Sequence, residues 1–192
     1  KDELSTLMTA RLAIRKPVRH RIPLMKTYYL QMNSPDDLVK TTPREGLCLR
    51  VVDPPDGAVN ERFYREVGQA WNWTACAEWT IARWNEYLAS NPVSTVVLVL
   101  DNEDIGYGEL INRDGDVEIL SFGLLESALG RGLGGAALEM VVRYAWTLGA
   151  VDHVWLHTCE QDHPSALPNY QRRGFMLYET REDPVPETRP GT

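Results

Sequence analysis

Apolar residues recur along this chain at two spacings, every second position and every three to four, and the spacings change in a definite order. Thr27 to Met32 and Leu47 to Val52 read as strands, the second stopped by Asp53-Pro54-Pro55-Asp56-Gly57. Two helical stretches follow, about Val59 to Ala70 and Ala75 to Ala89, with Thr74 as the expected cap of the second. Strands come next at Thr95 to Asp101, Ile105 to Asn112 and Val117 to Leu125. The short polar connections Asn102-Glu103-Asp104 and Arg113-Asp114-Gly115-Asp116 predict hairpins between them, with Asp101 and Asp104 as turn residues. Leu133, Ala136, Ala137, Met140, Val141 and Tyr144 then mark a helix. A strand at His153 to Thr158, a helix at about Ser165 to Arg173 and a strand at Phe175 to Thr180 complete the pattern. Residues 1–25 read as an arm, with a short helix up to Ile14 broken by Pro17 and Pro23, and residues 182–192 as a Pro-rich tail.

The junction between the third hairpin strand and the long helix carries the strongest chemical signal. Gly130-Arg131-Gly132-Leu133-Gly134-Gly135 is a glycine-rich turn that opens onto a helix N-terminus. Amides of the first helical turn lack intrahelical partners, the macrodipole adds positive charge there, and glycines let a phosphate approach the backbone. Four glycines in six residues cost entropy for no packing gain, which argues against a connection that binds nothing. A P-loop is excluded because no Gly-Lys-Ser/Thr follows. Gly130, Gly132 and Gly135 satisfy the dinucleotide fingerprint, but the roughly 45 residues after the helix cannot supply the parallel sheet it needs.

Three segments in order resemble the GNAT N-acetyltransferase superfamily. Glu118 to Leu124 looks like its fourth strand, and Leu129-Gly-Arg-Gly-Leu-Gly134 resembles its pyrophosphate loop, Gln/Arg-x-x-Gly-x-Gly/Ala. Ala166 to Phe175 resembles the closing motif Ala-x-x-x-Tyr-x-x-x-Gly-Phe. Leu129 departs from the first position of the loop, and His163 stands where the family usually has Asn. The resemblance implies a single α/β (α+β) domain over residues 26–181, with a mixed, largely antiparallel sheet flanked by helices and extended at its N-terminus. It implies acetyl-CoA as cosubstrate, held at Gly130, Arg131, Gly132, Leu133, Gly134 and Gly135. Backbone groups at Phe122 and Leu124 would pair with the pantetheine, because the fourth strand of the family splays from the fifth. The reaction implied is direct acetyl transfer to a primary amine. A non-catalytic acyl-CoA sensor or interaction module is the alternative.

Direct transfer needs a base for the ammonium and an acid for the departing thiolate. Glu118 is the candidate base, expected by period two to share a face with Leu120, Phe122 and Leu124; Glu109, on the preceding strand, competes with it. Tyr170 is the candidate acid, since the family often places this hydroxyl near the thioester sulfur. Gly174-Phe175 reads structurally, a helix stop and a core strand start. His157, Cys159 and His163 lack a third ligand at metal spacing, so no metal is expected; His163, before Pro164, is expected to shape the start of the last helix, with Asp162 as an alternative N-cap. Trp71, Trp73, Trp79 and Trp84 cluster on the early helices, where core packing competes with an aromatic pocket for an alkylammonium.

Composition narrows the partners. The 192 residues carry a net charge of −7, yet residues 1–30 hold seven Lys/Arg against two acids and the remainder 13 against 25. The acidic body argues against nucleic acid and favours a cationic substrate, a small-molecule amine over a protein. The basic arm reads as solvated or as packed on an acidic partner subunit, so a homodimer stays open. The longest apolar run, Val96 to Leu100, is far too short to span a membrane. Three scattered cysteines (Cys48, Cys76, Cys159) and no secretory h-region after the basic start lead us to expect a reducing, cytoplasmic setting.

Overall fold

The computed structural model describes residues 24–184. The expected arm and tail lie outside the described residues, apart from 24–25 and 182–184, which are strand. Seven strands form one sheet: β1 (Leu24–Met32), β2 (Leu47–Val51), β3 (Val93–Leu100), β4 (Glu103–Arg113), β5 (Asp116–Leu124), β6 (His153–Cys159) and β7 (Met176–Pro184). Their order is β2-β3-β4-β5-β6-β1-β7, and every neighbouring pair is antiparallel except β5 with β6. That single parallel pair disposes of the dinucleotide reading, which needs a parallel sheet.

Helices cover both faces, which is why β3 and β4 are buried almost continuously and show no clean alternation. On one face, α3 (Gly134–Ala145) lays Ala137, Leu138 and Val141 into a cluster with Val96, Leu98, Leu110 and Ile119. Helix α4 (Ala166–Arg172) adds Tyr170 to the same cluster. On the other face, α1 (Gly57–Gly68) packs Phe63 and Val67 on Val97 and Tyr107, and α2 (Ile81–Ser90) sets Leu88 beside Val93 and Ile111.

Both hairpins form as expected. Asp101 and Asn102 have φ of 51° and 70°, Asp114 and Gly115 of 54° and 95°, so each two-residue loop has positive φ throughout and matches the sheet twist. Asp104 is no turn residue. It pairs with Val99 within β4 and bridges Arg50 and Arg62 at 2.9 and 3.2 Å.

The early helices are displaced from expectation. α1 starts at Gly57 because Asp56 caps it, accepting from the Ala58 amide. α2 starts six residues later than expected, capped by Thr80 and not by Thr74. Asn72, at φ 55°, turns the chain, and residues 74–79 then fold in successive turns closed by Ala77 N–H to Thr74 and Trp79 N–H to Cys76. The Tyr64 hydroxyl accepts from the Cys76 amide and holds this segment over the sheet. The tertiary bond overrides local helix propensity.

Candidate active site

A cleft of about 1340 Å³ runs through the molecule where the sheet is split. β5 and β6 pair only over Asp116–Glu118 with His153–Trp155, and beyond that the strands diverge. Ile119, Phe122 and Leu124 of β5 and Leu156 of β6 line the gap.

One mouth lies at the glycine turn. Gly130 and Gly132 have φ of 72° and 70°, a backbone that side chains resist, and no side chain caps the N-terminus of α3. The amides of its first turn are therefore open to an anion. Residues 39–44 form a strap along this mouth. The Thr41 hydroxyl donates to Glu139 of α3 at 2.7 Å, and Arg143 clamps the same carboxylate, also at 2.7 Å. Arg173 donates to the Val39 carbonyl at 3.2 Å, and Arg44 to the Gly132 carbonyl at 3.4 Å. The Arg173 Nε is buried without a hydrogen-bond partner among the described residues, and its guanidinium stands 3.9 Å from where a Cβ on Gly135 would sit. A half-buried guanidinium with an unused, buried Nε donor beside uncapped amides fits a diphosphate.

The opposite mouth opens on the α1–α2 face. Glu109 of β4 is 3% exposed and lines the cleft. Burial pushes its carboxyl from 4.5 up to about 7, while hydrogen bonds from Asn60 and Tyr87 pull the other way. The Asn60 amide donates to it at 3.0 Å and is itself oriented by the Thr95 hydroxyl, at 3.0 Å. A carboxylate poised near neutrality is suited to taking a proton from an ammonium.

Tyr170 lines the cleft from α4, 8% exposed, its ring edge-on to Phe122 at 6.5 Å and to Phe175 at 6.2 Å. Burial, with the charge of Asp162 adding to it, raises the phenol well above its ordinary value and keeps it a neutral donor. α4 is set by Gly174, whose φ of 99° lets the chain turn where a Cβ would lie 2.0 Å from the Asp37 carbonyl.

A profile of the acetyltransferase (GNAT) family matches residues 59–175, more than half of the 192 residues. The chain belongs to the GNAT acetyltransferase family. Solved structures agree on the fold. A GCN5-related N-acetyltransferase from Sphaerobacter thermophilus superposes with a TM-score of 0.63 at 20% identity, over 82% of this chain and 50% of that one. One from Kribbella flavida gives 0.59 at 21%, over 81% and 55%. A GNAT-family acetyltransferase from Streptococcus pneumoniae gives 0.55 at 19%, over 69% and 85%. The chain thus spans about half the length of the first two. Comparison with curated proteins returns no match.

Within this GNAT domain the expected site residues separate. Phe122, Leu124, Gly130, Gly132, Leu133, Gly134 and Gly135 all line the cleft. Arg131 does not: it is exposed, and the arginines facing the loop are Arg44, Arg172 and Arg173. Glu118 does not share a face with Phe122 and Leu124. Glu109 pairs with Ser121 and Leu110 with Ile119, so Leu120 is an extra residue that inverts the alternation between Glu118 and Phe122. Phe122 joins the α3 cluster, whereas Leu120 joins the α2 cluster. Glu118 is buried outside the cleft lining, 3.3 Å from Arg113 and 3.6 Å from His157. Asp162 does not cap α4. It accepts from the Thr158 hydroxyl, the Cys159 amide and the Trp73 indole at 2.6, 3.0 and 3.2 Å, while His163 accepts from the Ser165 amide and shapes the helix start. Burial pushes the Cys76 thiol up to about 11 and raises Cys159 as well, so neither is an activated nucleophile. Among the described residues no His/Cys/Asp/Glu group is arranged to hold a metal ion, and no helix is long and apolar enough to cross a membrane.

Arg44, Arg173 and Asn60 were missed by sequence reading. Their chemistry depends on partners 88, 134 and 49 residues away.

Proposed function

We propose that this protein is an acetyl-CoA-dependent N-acetyltransferase that moves an acetyl group directly onto the amine of a small-molecule acceptor. The observation that carries the reading is the split sheet, with an uncapped helix N-terminus at one mouth and a buried carboxylate near neutral pKa at the other.

The diphosphate would lie on the amides of residues 130–135, with Arg44 and Arg173 supplying the cations that Leu129 and the outward Arg131 do not. Each charge-assisted contact of this kind contributes about 1.5–3 kcal/mol. The pantetheine would follow the free edge of β5 at Phe122 and Leu124 into the gap. Glu109, in preference to Glu118, takes the ammonium proton. The freed nitrogen lone pair attacks the thioester carbonyl, the C–N bond forms as the C–S bond breaks, and Tyr170 protonates the leaving thiolate. The second proton shed by the nitrogen as the amide forms restores the Tyr170 phenol. The free cysteines suit a reducing, cytoplasmic setting.

The test is release of free thiol from acetyl-CoA across an amine panel, with CoA binding measured in parallel by calorimetry. Amine-dependent thiol release in the wild type and loss of CoA binding in folded Gly132→Glu are the expected results. CoA binding with no turnover on any amine would make the protein a sensor. Unchanged CoA affinity in Gly132→Glu would remove the loop from the site.

A further inference from the structure

The half of the cleft beyond the split is walled largely by tryptophan and tyrosine, with no lysine or arginine among them. Trp73 and Tyr64 lie 5.4 Å apart between ring centroids, Tyr64 and Trp84 5.6 Å, Trp84 and Trp79 5.0 Å, and Trp79 and Tyr87 5.4 Å. These five rings form one chain of contacts along α1, the turn segment and α2, and all five line the cleft. The last ring, Tyr87, is hydrogen-bonded to Glu109, so the wall ends at the carboxylate assigned as base.

Charge is distributed just as selectively. The arginines lining the cleft are Arg44, Arg172 and Arg173, on the strap and α4 beside the glycine loop, and no lysine lines it among the described residues. Besides Glu109, the acid lining the cleft is Asp162, and three donors already occupy it, one of them the Trp73 indole. That bond ties the aromatic wall across to the end of β6. His157 and His163 also line the cleft, but His157 lies 3.6 Å from Glu118 and His163 accepts from the Ser165 amide, so a carboxylate on the acceptor would meet two acids and no lysine or arginine. A second ammonium would gain a cation–π attraction from the ring faces but find no free carboxylate, so most of its desolvation cost would stay uncompensated. An unpaired charge in such a place is strongly penalised.

We propose that the acceptor is a lipophilic primary monoamine, an aryl- or alkylamine with no carboxylate beside its amino group. This rests on the N-acetyltransferase reading and narrows it. The rings hold the apolar body, their faces attract the ammonium as it arrives, and desolvation against them lowers the ammonium pKa, which eases proton loss to Glu109.

The test compares three amines on the wild-type protein: 2-phenylethylamine, phenylalanine, which adds only a carboxylate, and butane-1,4-diamine, which replaces the ring by a second charge. Thiol release should favour phenylethylamine by about 100-fold or more in kcat/KM over each of the others. Phenylalanine or the diamine turning over equally well or better would overturn the proposal while leaving the N-acetyltransferase reading intact. Binding of the same three compounds in the presence of CoA, read by tryptophan fluorescence, gives the same ranking without turnover. Absence of turnover with preferential phenylethylamine binding would sink the enzyme reading and keep the ligand class; no preference in binding would sink the ligand class itself. Trp79→Leu, with Trp79→Phe as the conservative control, should raise KM for phenylethylamine about 10-fold in the leucine variant and leave KM for acetyl-CoA unchanged.

Discussion

At the scale of single residues, the two acids separate cleanly. Glu109 is buried in the cleft with its carboxyl at about 7, whereas Glu118 lies outside the lining and is paired with Arg113. Glu109→Gln should lower kcat/KM at neutral pH by roughly 10²–10⁴ and abolish the rise of activity through pH 7. Higher pH should restore part of the loss, because more amine is then already neutral. Glu118→Gln should cost under about 10-fold in turnover, since the carboxylate does not line the cleft and lies against Arg113 and His157 instead. Parallel pH profiles of both variants decide the matter, and equal losses would return Glu118 to the mechanism. Tyr170→Phe keeps the ring that packs on Phe122 and Phe175 and removes only the hydroxyl. Turnover should fall about 100-fold with KM for acetyl-CoA nearly constant and the melting temperature little changed. Full activity in that variant would remove Tyr170 from the chemistry.

Elements matter here through their junctions. The bulge at Leu120 lets one strand feed both faces, so that Glu109 and Ser121 look toward α1 and α2 while Phe122 and Leu124 look toward α3. The turn at Gly174 is equally constrained, because a Cβ there would meet the Asp37 carbonyl at 2.0 Å and the φ of 99° is itself unfavourable for alanine. Asp37 cannot retreat easily, since its carboxylate accepts from the Asn33 and Ser34 amides at 3.1 and 3.0 Å. Gly174→Ala should therefore destabilise the fold by about 2–4 kcal/mol in chemical denaturation. Because α4 carries Tyr170, the surviving folded fraction should also show reduced turnover per molecule.

For the whole molecule, Glu109 links function to stability. Its proton is held more tightly in the folded state, at about 7 against 4.5, so the folded state gains from the neutral acid. That contribution is fully present below about pH 4.5, declines as pH rises and is gone above about 7, where burying the charge becomes a cost. Glutamine can still accept the Asn60 hydrogen bond without the charge. Denaturation of Glu109→Gln and wild type in parallel should show the variant gaining, from pH 5 to pH 8, up to about 3 kcal/mol relative to wild type. A constant difference across that range would mean that Glu109 titrates normally.

Local sequence determined much of this protein. Hairpin turns, the glycine loop ahead of α3 and the Tyr170-Gly174-Phe175 spacing are short-range features, legible because φ restrictions and helix-end chemistry act over a few residues. Tertiary structure alone decided the rest. The parity switch at Leu120 appears only when β5 is set against β4, and with it the separation of Glu118 from the face of Phe122 and Leu124. Residues 75–79 read as the start of a helix by periodicity, yet the Cys76 amide bonds to Tyr64 and Trp79 joins the cleft wall. Arg44 and Arg173 reach the loop across long stretches of chain, and Glu109 acquires its near-neutral carboxyl from helices that bury it. Burial, facing and long-range pairing are properties of the assembled sheet, so no window of sequence could contain them.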